Sequence, residues 1–496
     1  MKMTIVVSSL LVFLFTHLSA QNSNAADEKN ISSLIAQFSS ADIFVHGDAI
    51  TQIVRYGESA VAPLIRSLSD SSAGVRVCSA IALGKIAPKG IQAVPALVQS
   101  LRDENSDVRW CSAIALGRYN EKASSSAKDL VHLLSDNDRN VRWAAYTSLL
   151  VIDKTSLNAS RELSDITQRL EQLTPDAMNE LHVPGVSISI IKNNAIAWSK
   201  AFGVSDGSLK SAATTETMFE ACSMSKPVFA FVVLQLVDQK KLELDRPLYH
   251  YLPEQFVSAD VSYAKQITAR MVLTHTSGMP NWRKAGDERN APIPLYFKPG
   301  TKFQYSGEGI FYLQRVVEHI MKEPLASLAK RMLFEKLLLS RTSFVWTDQL
   351  APFISTGHDG SGKNNERSRY LRGNAAYTLY TTPDEYAKII IELMKPGKLL
   401  SSTLRKEMLS HQFRSDVREV TDRPGKALGL FSYRGLGWAI DSTITGNIVY
   451  HSGSNQTGFR CYSQFDPLNG TGIVIMTNGE NGSELWQKLV SVVGDL

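Results

Sequence analysis

The chain has 496 residues, a net charge of +5, 44% apolar and 20% charged residues. That length exceeds one ordinary domain, and the composition is that of a globular protein. The small charge, with no Lys/Arg block, excludes nucleic acid as the expected partner.

Residues 1–25 read as a signal peptide. Met1-Lys2-Met3 is a positive start, Thr4 to Thr16 is an uncharged apolar core, and Ser19-Ala20 and Ser23-Asn24-Ala25 offer small-residue cleavage sites. The core is short for a membrane anchor, and no later stretch is long enough to span a bilayer. The expected protein is exported, periplasmic or extracellular. Its four cysteines, Cys78, Cys111, Cys222 and Cys461, do not make a disulfide framework, although Cys222 and Cys461 could pair in an oxidising compartment. No Cys/His cluster has metal-ligand spacing, so neither a metal nor another cofactor is expected.

Residues 26–155 carry a repeat. Val75-Arg-Val-Cys-Ser-Ala-Ile-Ala-Leu-Gly returns as Val108-Arg-Trp-Cys-Ser-Ala-Ile-Ala-Leu-Gly, and Val141-Arg-Trp-Ala-Ala-Tyr begins a third copy at the same 33-residue period. Leu64, Leu97 and Leu130 align, as do Asp70, Asp103 and Asp136. Each unit reads as helix, turn, helix, with apolar residues at i, i+3 and i+4. Such a unit buries its face only against its neighbours, giving an all-α solenoid that resembles short HEAT-like repeats. Arg76, Arg109 and Arg142 are expected to bond the Asp-containing turns. Cys78 and Cys111 are expected to be buried small hydrophobes. A solenoid of this kind offers a surface to a protein partner.

Residues 156–164 read as a polar linker, and Leu163 to Leu181 as a helix opening the second domain at 165. Val186 to Ile191 and Ala195 to Phe202 then alternate as strands around Lys192-Asn193-Asn194. The middle, from about 227 to 420, reads as mostly helical. Strand patterns return at Gly435 to Asp441, Asn447 to His451, Gly458 to Phe465 and Gly472 to Thr477, before a helix from Ser483 to Val493. Strands at both ends of a helical middle predict an α+β domain whose antiparallel sheet is closed by its two terminal segments, flanked by helices and carrying a helical subdomain.

Cys222-Ser223-Met224-Ser225-Lys226 precedes the apolar run Pro227 to Val237, which reads as a buried helix. A serine at a helix start meets free backbone N–H groups, and a lysine three residues on shares its face. That pairing activates a serine without histidine. The plain alternative is that Ser223 caps the helix and Lys226 is an exposed helix lysine.

Further motifs follow in order: Leu273-Thr-His-Thr-Ser-Gly-Met-Pro280, Tyr305-Ser306-Gly307 after Pro299-Gly300, and His451-Ser452-Gly453 on a terminal strand. With Val183-Pro-Gly-Val-Ser187 and Gly458-Phe459, they make 165–496 resemble the class C β-lactamase and penicillin-binding-protein-like serine hydrolases. The resemblance implies a β-lactamase/transpeptidase-like fold and an acyl-enzyme mechanism. It makes Ser223 the nucleophile, Lys226 its base, Tyr305 a proton relay, and His451 the residue that biases Tyr305. The backbone N–H groups of Ser223 and Ser454 become the oxyanion hole. Gly307, Ser452, Gly453 and Arg460 become substrate-binding positions. His275 reads as structural.

Two departures stand out. Gly307 occupies the position of an asparagine that holds the substrate's amide side chain in the lactamases. His451 replaces the lysine of Lys-Thr-Gly and leaves a substrate carboxylate to Arg460 or Arg414. Both point towards an esterase or a D-amino-acid peptidase or amidase rather than a dedicated β-lactamase. The expected substrate is a small molecule or peptide with an ester or amide bond. The alternatives are a penicillin-binding receptor that barely deacylates, and a non-catalytic scaffold working through its solenoid. There is no Gly-x-Ser-x-Gly elbow, His-Glu-x-x-His or phosphate-binding glycine loop.

Overall fold

The computed structural model describes residues 27–493, apart from 41–42, 135, 137, 154–162, 254–260, 284–291, 396, 416–431 and 444–445. The leader 1–25 and residues 156–162 of the linker therefore lie outside the described residues. The chain divides into two compact units, Met1–Glu162 and Leu163–Leu496. Leu163 and Ser164, read as linker, open a helix of the second unit.

The first unit is a helical array: α1 (27–36), α2 (Ile43–Val54), α3 (Val61–Ser67), α4 (Ala73–Ile86), α5 (Val94–Ser100), α6 (Ser106–Gly117), α7 (Ala127–Leu133) and α8 (Arg139–Ile152). Its core is one run of small and aliphatic side chains, including Leu64, Leu83, Leu97, Leu116, Leu130 and Leu149. Cys78 and Cys111 sit in it as buried free thiols. Equivalent glycines set the helix spacing. A Cβ on Gly84 would lie 3.0 Å from Ala115, and one on Gly117 would lie 2.5 Å from the Ser148 hydroxyl.

The arginines do more than hold their own turns. Arg76 donates to the carbonyls of Asp70 and Ser71, as expected, but also forks onto both carboxylate oxygens of Asp103 in the next repeat at 2.7 and 2.8 Å. Arg109 repeats this on Asp136 at 2.8 and 2.9 Å. Arg142 donates to the Asp136 carbonyl. Burial alone would raise the Asp103 and Asp136 pKa values. The facing guanidinium outweighs it and holds both carboxyls below the usual range.

Among its described residues the second unit contains eleven strands: β1 (Gly185–Lys192), β2 (Ala195–Asp206), β3 (Ser211–Ala212), β4 (Phe219–Glu220), β5 (Tyr380–Thr381), β6 (Phe413–Arg414), β7 (Ser432–Arg434), β8 (Ala439–Thr443), β9 (Gly446–Ser454), β10 (Arg460–Asp466) and β11 (Thr471–Thr477). Nine form one antiparallel sheet in the order β3-β2-β1-β11-β10-β9-β8-β7-β6, and β4 pairs with β5. The expected closure by terminal segments is β1 on β11, with Val186 opposite Thr477.

One sheet face packs on α9 (Leu163–Glu180) and the C-terminal helix, through Ile188, Ile190, Tyr462, Ile475 and Trp486. The other faces the main core around α10 (Ser225–Asp238), which is apolar on every side and buried accordingly. The serines of β1 are not solvent-facing, as simple alternation would have them. Ser189, with Ser199 of β2, bonds Asp384 at the start of α12 (Pro383–Met394). Among the described residues the middle of the domain, expected to be mostly helical from about 227 to 420, is helical only in part. A long irregular stretch at 339–379 carries the chain to β5, beside the serine turn.

Candidate active site

Ser223 lies in a 3-10 turn, Cys222–Met224, that runs into α10. Cys222 adopts a left-handed φ of 53°, a conformation that disfavours a side chain and turns the backbone sharply at the residue before the serine. The turn is pinned from several sides. Ser225 Oγ donates to the Cys222 carbonyl and accepts from the Leu379 N–H, and Tyr386 donates to the Met224 carbonyl. Cys222 and Cys461 are free thiols that both donate to the Glu220 carbonyl, at 3.1 and 3.3 Å.

The plain alternative fails on both counts. Met224, not Ser223, is the helix cap residue, and Lys226 is only 1% exposed. Lys226 Nζ donates to Ser223 Oγ at 3.1 Å and to the Ala376 carbonyl at 2.9 Å. Among the described residues no carboxylate pairs with it. Burial therefore disfavours the ammonium and brings its pKa down to about 7. Tyr305 lies beside it, with Nζ 4.7 Å from the ring centre. His451 approaches Tyr305 from β9 at 6.4 Å between rings, and His275 packs on it at 4.4 Å with the rings tilted by 33°.

The histidines are neutral by environment. His451 is pushed down to about 3, first by burial and then by the Lys226 charge. Its Nδ1 bonds the Ser452 carbonyl at 2.7 Å, which requires the proton on Nδ1. The cationic role of the lysine it replaces is therefore absent. His275 is depressed likewise, and its Nδ1 accepts from the Ser306 N–H. That bond holds the backbone just after Tyr305, as a structural residue would.

Gly453 explains itself. A Cβ there would lie 2.3 Å from the Ala221 carbonyl and 3.2 Å from the Ser223 nitrogen. Strand β9 thus lies directly against the serine turn, with Ser454 next along it. Two of the expected substrate-binding side chains do not join this group. Ser452 is opposite Tyr462 in the register and shares its face, the one packed by α9. Arg460 is one residue out of phase with Cys461. Its Cβ faces Gly482, and its guanidinium bonds the Asn455 and Phe459 carbonyls with Glu480 nearby at 3.8 Å. A strand alternates faces at every residue, so a single step of register decides this. Arg414 is exposed on the edge strand β6.

Gly307 opens α11 (Gly307–Met321), where Ser306 caps the helix. It has no room for the missing asparagine. A Cβ would lie 2.5 Å from the Trp282 indole and 2.9 Å from the Asn281 carbonyl.

Sequence reasoning missed three neighbours. Ala376 acts through its carbonyl, which any residue type supplies. Arg434, buried on β7, adds positive potential at both histidines. Glu220 accepts from Asn455, Thr457 and Tyr370 on one carboxylate oxygen and so fixes the segment that follows β9. Its signal was visible as a lone acid between Met218-Phe219 and Ala221-Cys222.

Among the described residues, no group of three or more His, Cys, Asp or Glu is placed to hold a metal, and no helix is long and apolar enough to cross a membrane. The chain is 23% identical over 353 residues to Protein flp of Staphylococcus aureus, a match covering 67% of this chain and 66%, just under two thirds, of that protein. It is 28% identical to Esterase EstB of Burkholderia gladioli over 40% of this chain and 57% of the esterase. In fold it is similar to the octameric penicillin-binding protein homologue from Pyrococcus abyssi, with a TM-score of 0.56 and 21% identity over 66% of this chain and 78% of that one. It is similar too to the D-alanine carboxypeptidase AmpC from Burkholderia cenocepacia, with a TM-score of 0.55 and 20% identity over 68% and 100%. HEAT repeats match 31–109 and 86–150, and the Beta-lactamase family matches 170–490. With most of its length in that last match, the chain belongs to the Beta-lactamase family and carries HEAT repeats ahead of the family domain.

Proposed function

We propose that the protein is an exported serine hydrolase that cleaves an ester or amide bond through an acyl-enzyme on Ser223. The observation that carries this reading is the 3.1 Å bond between Ser223 Oγ and a buried Lys226 whose pKa lies near 7. Neutral Lys226 takes the hydroxyl proton as Oγ attacks the carbonyl carbon. The oxyanion that forms faces the N–H groups of Ser223 and Ser454. Tyr305 passes the proton on to the leaving oxygen or nitrogen as the bond breaks. Water then attacks the acyl-enzyme, gives a proton back through the same groups and frees Ser223. No step needs a metal or organic cofactor.

The substrate class follows from the site's charge and from the relatives, which include an esterase and a D-alanine carboxypeptidase by name. A neutral His451 leaves little attraction for a substrate carboxylate, which favours an ester over a β-lactam. The HEAT repeats supply a surface for a protein partner, and residues 1–25 direct export.

The test is turnover by the purified protein of short esters, D-alanyl peptides and nitrocefin, with Ser223→Ala as control. Wild type hydrolyses esters and takes a fluorophosphonate label, and S223A does neither. Label retained in S223A removes the nucleophile role. A penicilloyl group that stays for hours on Ser223 of the wild type, after labelling with a penicillin, favours the acylated receptor instead. N-terminal sequencing of secreted material locates the leader cleavage.

A further inference from the structure

Trp282 is an unusual residue to find half out in solvent. Its indole is 44% exposed, yet its position is fixed from both sides. The preceding Asn281 accepts the Gly307 and Glu308 N–H groups through its carbonyl, and the Gly307 N–H again through its side chain. The following Arg283 donates backbone and guanidinium groups to the buried Glu308 carboxylate at 3.1 Å. Residues 281–283 are thus fastened to the first turn of α11, and the indole between them rests on Gly307. Its edge meets Tyr377 at 5.6 Å, and Tyr377 meets Tyr370 at 5.5 Å.

The two positions that Trp282 bridges both lead to the reacting atoms. Gly307 is two residues from Tyr305, which lies over Lys226. Tyr377 follows Ala376, whose carbonyl holds Lys226 Nζ. The aromatic wall therefore joins the two segments that carry Tyr305 and the Ala376 carbonyl, and fills the space where a larger residue at 307 would project. An asparagine there would offer an amide to the substrate. This chain offers a fixed indole face and the ring of Tyr377.

We infer that Trp282, backed by Tyr377, determines specificity by binding a flat, uncharged apolar group carried by the substrate next to its scissile carbonyl. The inference deepens the serine hydrolase reading and rests on it. A preorganised aromatic surface gains affinity with little ordering cost, because the residues around it are already held. The apolar group belongs either to the acyl part or to the leaving part, and two substrate pairs separate these. p-Nitrophenyl phenylacetate against p-nitrophenyl acetate places the phenyl ring on the acyl side. Benzyl acetate against ethyl acetate places it on the leaving side.

In one of the pairs the wild-type protein favours the phenyl-bearing member in kcat/KM. Trp282→Ala reduces that preference by about tenfold, chiefly through KM, and Trp282→Phe retains most of it. Gly307→Ala, which displaces the indole without altering it, reduces the same preference. It also serves if W282A fails to fold, as judged by its thermal transition. The inference is overturned if wild type shows no preference in either pair, or if W282A and G307A keep the wild-type ratio within about twofold. Failure of the underlying reading looks different, since S223A would then still turn over both members of each pair.

Discussion

The two units each bury cations, with opposite results. In the solenoid, Arg76 and Arg109 are nearly enclosed but fork onto carboxylates, and every group in the ladder stays charged. In the hydrolase unit, Lys226 is fully enclosed against a hydroxyl, a carbonyl and an aromatic ring, and its charge is disfavoured. Burial is common to both. The partner decides whether a buried base becomes a structural clamp or a proton acceptor. A carboxylate beside Lys226 would hold it protonated and unable to take a proton from Ser223.

The largest test of that contrast is Lys226→Met. It should reduce ester turnover by about a thousandfold or more while the protein stays folded. It should also stabilise the unit. The folded pKa lies below the unfolded value of 10.5, so the unfolded chain binds more protons between about pH 7 and 10.5. Stability from this group rises with pH across that window, and its cost is complete below 7. Removing the amine at pH 7 should raise unfolding stability by roughly 4 kcal/mol, read by denaturant titration.

The pH profile comes next. Turnover should climb through pH 7 and level off above it, so that at pH 5 the rate is about a hundredfold below the plateau. A limb centred near the ordinary lysine value would mean that burial does not govern Lys226.

In the solenoid the same logic runs in reverse. Arg76→Met leaves Asp103 enclosed without its guanidinium and should cost about 3 kcal/mol, whereas the double variant R76M/D103L should cost less than the single one. The ladder's contribution should fade on acidification, as pH falls from the unfolded Asp range through the depressed folded value. Equal costs for the single and double variants would make the pair mere surface decoration. Smallest is Gly117→Ala. Its Cβ would meet Ser148, for a net loss of about 1 kcal/mol after the better helix propensity is counted.

Much of this was legible in the sequence where a pattern carried it. The 33-residue period gave the solenoid, and ordered motifs brought Ser223, Lys226, Tyr305 and His451 to one place. What escaped depended on relations that no local pattern carries. Asp103 lies 27 residues beyond Arg76, so a reading confined to one repeat assigns the arginine to its own turn. Arg460 and Ser452 sit on strands whose faces swap with each residue, and motif proximity does not fix that parity. The Ala376 carbonyl has no side-chain signature. Asp384, the partner of Ser189 on β1, arrives from far along the chain.

The pairing of β1 with β11 sets the order of events at the ribosome. The strand β1 waits for β11, the last of the described strands to be made, before its inner edge is satisfied. Strand β9, which bears Gly453 and Ser454, is itself held by β10. The serine turn emerges early but gains its opposite wall only near the end of synthesis. Such distant pairing makes folding slow relative to a local array, and the solenoid, built from neighbouring repeats, can form while the hydrolase unit is still incomplete. The nascent chain thus carries Ser223 long before strand β9 can stand against its turn.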